Sequence, residues 1–200
     1  MPLGAHKAAL FGVAGVSTDT VVLLSTQTAS NSASISFTSD ITSTYGEYIF
    51  KFYNINPATD GAHFSFQVNA TDDAGGDYDT SLITSTHFRV YHSEGDSVSG
   101  PEYQTGYDLA QSASFQMLAQ DLENDADSSC AGILHLFNPA STTYVKHFYS
   151  RFSSVMIAGP SSENEVYQAG YINDTTAIDD IQFKMNSGNF DGKIKMWGVK

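Results

Sequence analysis

From Tyr45 to Asn69 apolar and polar residues alternate with a period of two, and this constrains the fold more than any other feature of the chain. Tyr48, Phe50 and Phe52 fall on one side, with Glu47, Ile49, Lys51 and Tyr53 on the other. Beyond the turn residues Asn56-Pro57-Ala58-Thr59-Asp60-Gly61, Ala62, Phe64, Phe66 and Val68 oppose His63, Ser65, Gln67 and Asn69. Successive side chains of a strand point to opposite faces, so each run reads as a half-buried strand. The turn chemistry between them predicts an antiparallel hairpin.

The same signature recurs along the chain. Val21 to Leu24, Ala33 to Phe37, His87 to Tyr91, Gly132 to Phe137, Thr143 to Phe152, Val166 to Ile172, Ala177 to Met185 and Lys193 to Val199 are short apolar or alternating runs. They are bounded by Gly, Asn, Asp, Ser and Pro, the residues of turns. With 25 Ser, 17 Thr, 13 Phe and 11 Tyr but only 16% charged residues, the composition also favours strands and polar turns. The expected fold is all-β, an antiparallel jelly roll or β-sandwich whose two sheets bury their apolar faces against each other. One segment is ambiguous: Leu109, Ala113, Met117, Leu118 and Leu122 recur at near-helical spacing. A strand over 113–118 followed by an acidic loop is preferred, because Asp121 to Ser129 has too few apolar residues to extend a helix. At 200 residues the chain fits one sandwich domain over residues 20–200, preceded by an arm or edge segment over residues 1–19.

Charge narrows the partners. Nine Lys and Arg against 22 Asp and Glu give a formal net charge of -13, which repels nucleic acid and anionic membrane alike. The acidity is concentrated: between Asp60 and Asp127 Arg89 is the only cation, so long acidic loops are expected there. No stretch approaches the roughly 20 apolar residues of a membrane helix. Met1 to Gly15 has neither the basic start nor the long apolar run of a signal peptide, and the expectation is a complete, soluble, unexported chain.

Chemistry-bearing motifs are sparse. Cys130 has no partner for a disulfide, and Asp127, Ser128 and Ser129 beside it would raise a thiol pKa rather than lower it. His6, His63, His87, His92, His135 and His147 lie on separate elements without the spacing of a zinc motif, and His63, His135 and His147 read as strand positions facing solvent or a partner. Asp72, Asp73, Asp77 and Asp79 sit on a Gly-containing loop and offer the oxygen ligands of a hard cation, but not in EF-hand spacing, and a solvated acidic loop is preferred. No GxSxG motif occurs. Asn69-Ala70-Thr71 and Asn173-Asp174-Thr175 match the N-glycosylation pattern. No residue is therefore assigned as catalytic, cofactor-binding or metal-ligating, and no cofactor is expected.

The last strands carry a resemblance. Ile178-Asp179-Asp180-Ile181-Gln182-Phe183, then Ser187-Gly188-Asn189-Phe190-Asp191-Gly192-Lys193-Ile194, then Trp197-Gly198-Val199-Lys200 resemble the carboxy-terminal hairpin of structural proteins of tailed, especially marine, bacteriophages. Gly132 to Phe148, with Phe137-Asn138-Pro139 and Thr142 to Phe148, is similar to the preceding strand pair of those proteins. The resemblance covers roughly a third of the chain. It implies a non-enzymatic jelly-roll virion protein, made in the host cytoplasm and contacting other capsid or tail proteins, as a homo-oligomer. Because no heptad shaft or collagen-like repeat precedes the sandwich, a capsid decoration or accessory subunit is expected over a long tail fibre. The alternative is a carbohydrate-binding module that recognises a host-surface glycan, since Tyr-rich sandwiches offer flat rings to sugar faces. A glycan-degrading enzyme with paired carboxylates comes third. Independently of any family, Ile181, Phe183 and Met185 are expected to face inward and Gln182 and Lys184 outward, with Ser187 to Gly192 tolerating positive φ.

Overall fold

The computed structural model describes residues 20–73, 76, 78, 80–157 and 161–200. The arm over residues 1–19 lies outside them. Among the described residues twelve strands follow in order: β1 (Val21–Ser32), β2 (Ser34–Phe37), β3 (Glu47–Pro57), β4 (Ala62–Ala70), β5 (Ile83–Ser93) and β6 (Ser99–Tyr103). The second half supplies β7 (Gln116–Leu122), β8 (Cys130–Phe137), β9 (Lys146–Met156), β10 (Ser162–Ile172), β11 (Ile178–Met185) and β12 (Phe190–Val199). No helix occurs among the described residues.

All the strand pairings are antiparallel, and eight strands wind as a jelly roll. β1-β12-β3-β8 make one layer and β2-β11-β4-β7 the other. The first layer then continues past β8 through β9, β10 and β5 to β6, giving a long sheet with an added wing. One residue pair, Leu122 with Met156, ties β7 to β9 and nearly closes the layers into a barrel.

Phenylalanine fills the space between the layers. The Phe183 ring lies 5.0 Å from Phe52, 5.4 Å from Phe50, 6.1 Å from Phe64 and 6.2 Å from Phe37, so it touches strands of both sheets. Phe50, Phe64, Phe66 and Phe183 have no exposed surface, as alternation predicts. Ile181 and Met185 are buried beside Phe183, while Gln182 and Lys184 are only partly covered.

Two predicted hairpins are corrected. β3 pairs with β12 and β8, whereas β4 pairs with β11 and β7, so β3 and β4 lie in opposite sheets. The turn between them is a corner, and Phe52 meets Phe64 across the sandwich at 5.6 Å rather than along a sheet. Alternation fixes the direction of side chains but not the identity of the neighbouring strand. The carboxy-terminal hairpin is likewise a corner, with β11 between β4 and β2 and β12 between β1 and β3. The two corners bond to each other: Ala58 N donates to Asn189 O at 2.8 Å, and His63 N donates to Asn186 Oδ1 at 2.8 Å. Gly188, at φ 72, occupies a position where a Cβ would collide with Thr59 of the other corner. By contrast, the runs expected to form the β8–β9 pair are indeed adjacent, with Leu134 opposite Ser150.

The ambiguous segment forms strand β7, set later than the expected 113–118. Its inward positions alternate Gln116, Leu118, Gln120 and Leu122, all buried. Because every second inward residue is a glutamine, the leucines fall four apart and imitate a helix. β6 has no apolar alternation and went unforeseen.

Truncating the Phe183 hub is expected to cost about 3–5 kcal/mol in Phe183→Ala. Gln182→Ala, which loses one hydrogen bond to Ser36 Oγ, should cost about 1 kcal/mol or less. Urea unfolding of both variants checks this, and equal losses would contradict the burial difference.

Candidate interaction face

The outer face of the long sheet carries side chains that ordinarily seek burial. Cross-strand register aligns Trp197 of β12, Ile49 of β3, His135 of β8 and Tyr149 of β9 in one row. The adjacent row runs Lys195, Lys51, Ile133, Arg151, Tyr167, Phe88 and Tyr103 from β12 to β6. Tyr149 stacks on His135 with ring centroids 4.4 Å apart, and Phe137 extends the stack at 5.7 Å from Tyr149. His135 is fixed by Glu47, with Nδ1 2.5 Å from Oε1.

On the wing, Phe88 and Tyr167 stack almost parallel, 5.0 Å apart at 6°. The Arg151 guanidinium lies over the Tyr167 ring at 5.4 Å and pairs with Glu165. The Tyr167 hydroxyl donates to Glu165 Oε2 at 2.8 Å, which together with Arg151 holds that carboxylate below its ordinary range. Beside the stack, Phe88 neighbours Tyr103 and Val90 neighbours Pro101. Phe88, Val90 and Tyr103 are 42%, 42% and 50% exposed, so the wing ends in an open apolar patch. β6, with a partner on one side only among the described residues, carries Pro101 and Glu102, residues that discourage edge-to-edge pairing.

The inner face of the same wing mixes apolar residues such as Phe148, Phe152 and Val166 with polar ones. Ser85, His87, Ser150, Ser154, Asn164 and Gln168 of β5, β9 and β10 are buried opposite Gln116 and Gln120 of β7. Gln168 Nε2 lies 2.8 Å from His87 Nδ1 and also donates to Met117 O, while Ser150 Oγ donates to Gln168 Oε1 at 2.9 Å. Gln120 Oε1 lies 3.2 Å from His87 Nε2. Gln120 offers an acceptor and Gln168 a donor, which fits a neutral imidazole protonated at Nε2. Burial depresses the His87 pKa to about 4, with Gln120 and the more distant Asp108 partly opposing and Arg89 adding to the fall.

The residues singled out in the sequence stay apart. Asp72 Oδ2 accepts from Thr176 Oγ1 at 3.1 Å and Asp73 Oδ2 from Thr80 Oγ1 at 2.5 Å, while Asp77 and Asp79 lie outside the described residues. His63 Nδ1 accepts from Asp121 N at 2.9 Å, His92 pairs with Asp96, and His147 lies 6.2 Å from the Tyr171 ring. His6 is outside the described residues. Among the described residues no three His, Cys, Asp or Glu side chains are grouped to hold a metal. Cys130 is buried and its thiol pKa is pushed up by desolvation rather than by its acidic neighbours. Asn69 of the first glycosylation pattern is buried in β4, whereas Asn173 is exposed. The buried His87 was not distinguished from the other histidines by any local signal, because its partners Gln120 and Gln168 are distant in sequence.

No family model matches this sequence, and no curated protein matches it.

The His87 environment sets an acid limit on stability. Its folded pKa of about 4 lies below the ordinary 6.5, so between these values the unfolded chain holds a proton that the folded one does not. The contribution is therefore complete above pH 6.5 and is lost as pH falls toward 4, by up to roughly 3 kcal/mol. Urea unfolding at intervals from pH 7 to 4 measures the slope, and His87→Gln is expected to flatten it in this window.

Proposed function

We propose that this chain is a non-enzymatic structural protein of a tailed-phage virion, a decoration or accessory surface subunit that works through protein–protein contact. The observation that carries the reading is the open apolar patch of Phe88, Val90, Tyr103 and Tyr167 on the outer face of the wing. Contiguous exposed apolar surface is unusual on a free monomer and marks interaction sites. Aromatic side chains supply large contact area at protein interfaces, and fully desolvated ones dominate binding energy. The jelly-roll winding supports the same reading as an architecture, since capsid proteins use it, although lectins and cupins use it too. The carboxy-terminal and β8–β9 sequence patterns add the phage resemblance. Within such a particle the patch would rest on a neighbouring subunit, of the same or another kind, and the acidic loops would face solvent.

Purified protein added to particles assembled without it is expected to attach, and attachment should persist in half-molar salt because apolar contact is not screened. Phe88→Ala combined with Tyr103→Ala should weaken attachment about tenfold or more while leaving the melting temperature nearly unchanged. Absence of the chain from purified virions by mass spectrometry, or undiminished attachment of the double variant, would refute the reading.

A further inference from the structure

At the opposite end of the same face, register shifts on neighbouring strands coincide. The β1–β12 ladder slips between Ala29 and Ser32, the β12–β3 ladder between Asp191 and Lys193, and the β3–β8 ladder between Phe52 and Ile55. Bulges bend the strand and re-aim its side chains, and they recur beside binding sites. Here they open a groove of about 560 Å3 whose walls include Thr28, Tyr53, Asn54, Asp191, Lys193 and Lys195. Asn54, at φ 50, forms its crest. A second groove of about 370 Å3 shares Asn54 and Asp191 and continues toward Ser128 and Ser129. Gly192, at φ 142, is required in the floor, since a Cβ there would sit 2.6 Å from Ile55 Cδ1 and 2.9 Å from Asn54 O.

We propose that this groove binds a carboxylate-bearing saccharide, with the sugar face on the Tyr53 ring and the carboxylate between Lys193 and Lys195. Tyr53 is 41% exposed and stands directly opposite Lys193, which in turn stands opposite Thr28. A pyranose presents an apolar C–H face and a rim of hydroxyls, and the groove presents the half-exposed Tyr53 ring, with Lys195 over one face, edged by hydroxyl, amide and carboxylate groups. The side chains of Thr28, Asn54, Lys193 and Lys195 make no hydrogen bond within the described residues, so their polar atoms are available to a ligand.

The charge pattern selects an acidic sugar. Lys195 stands directly opposite Lys51, a cross-strand pairing of like charges that costs stability unless an anion joins it. The two ammonium groups diverge, Lys51 over Trp197 at 5.2 Å and Lys195 over Tyr53 at 5.7 Å. None of Lys51, Lys193 and Lys195 forms an ion pair among the described residues, in a chain where acids outnumber bases 22 to 9. Asp191 lines both grooves, its Oδ1 held by Asn31 N, and Asp127 joins it only in the second, so the carboxylate belongs beside Lys195 at the end away from both acids and neutral units beyond it.

Titration of the isotope-labelled protein with a short oligogalacturonate and with a neutral malto-oligosaccharide of equal length, followed by amide NMR, tests the site. The acidic oligomer should shift residues 28, 53, 54 and 191–195 and bind about tenfold tighter than the neutral one. Tyr53→Ala should weaken binding about tenfold, Tyr53→Phe should retain it, and the pair Lys193→Gln with Lys195→Gln should erase the preference for the acidic oligomer. Val98→Ala, in the exposed turn between β5 and β6, should leave affinity unchanged. Equal affinity for the two oligomers, shifts confined to other residues, or full binding by a correctly folded Tyr53→Ala protein overturns the proposal.

Discussion

The contacts of Phe183 with Phe37, Phe50, Phe52 and Phe64 bring β2, β3, β4 and β11 onto one side chain, and the rest of the structure depends on that meeting. Edge-to-face and tilted rings pack densely while retaining favourable quadrupole contacts, so the layers are held at a defined separation. Both corners of the sandwich follow from it. Once Phe52 and Phe64 must face each other, the short connection between their strands has to cross between sheets, and the β11–β12 connection must do the same around Phe183.

Away from this centre the principle of burial changes. On the inner face of the wing, amides, hydroxyls and an imidazole are interspersed with Phe148, Phe152 and Val166, and each polar group is costly to bury unless bonded. Gln168 meets that demand by contacting His87, Ser150 and the Met117 carbonyl at once. Lys146 is handled in the same way: its ammonium donates to the carbonyls of Asp174, at 2.9 Å, and Thr176. Such directional bonds tie β5, β9 and β10 to β7, which in turn holds Phe88 and Tyr167 side by side in the outer row.

How much was legible in the sequence divides along this boundary. Where inward residues are aromatic, as at Phe50, Phe52, Phe64, Phe66 and Phe183, alternation predicted the strand, its buried face and the sandwich class. Where they are polar, it blurred: Gln116 and Gln120 gave β7 a near-helical spacing and displaced its expected bounds, Ser85 shortened the apparent β5, and Ser162 and Asn164 hid the first half of β10. Pairing was not legible even in the aromatic region, because face-to-face and edge-to-edge neighbours share one hydrophobic pattern. The outer rows of Tyr149, Tyr167 and Phe88 and the groove at Tyr53 depend on register between distant segments, and no local motif encodes them.

The polar lining of the wing has a consequence for how the molecule comes apart. Lifting β5 and β6 from β7 would wet serines and amides that water can satisfy, whereas separating β3 from β4 would wet a layer of phenylalanines. Two units of unequal strength are therefore expected, an aromatic drum and a flap that opens along β9. Amide exchange in the flap is therefore expected to proceed through its own partial opening, leaving the drum to report the global unfolding free energy.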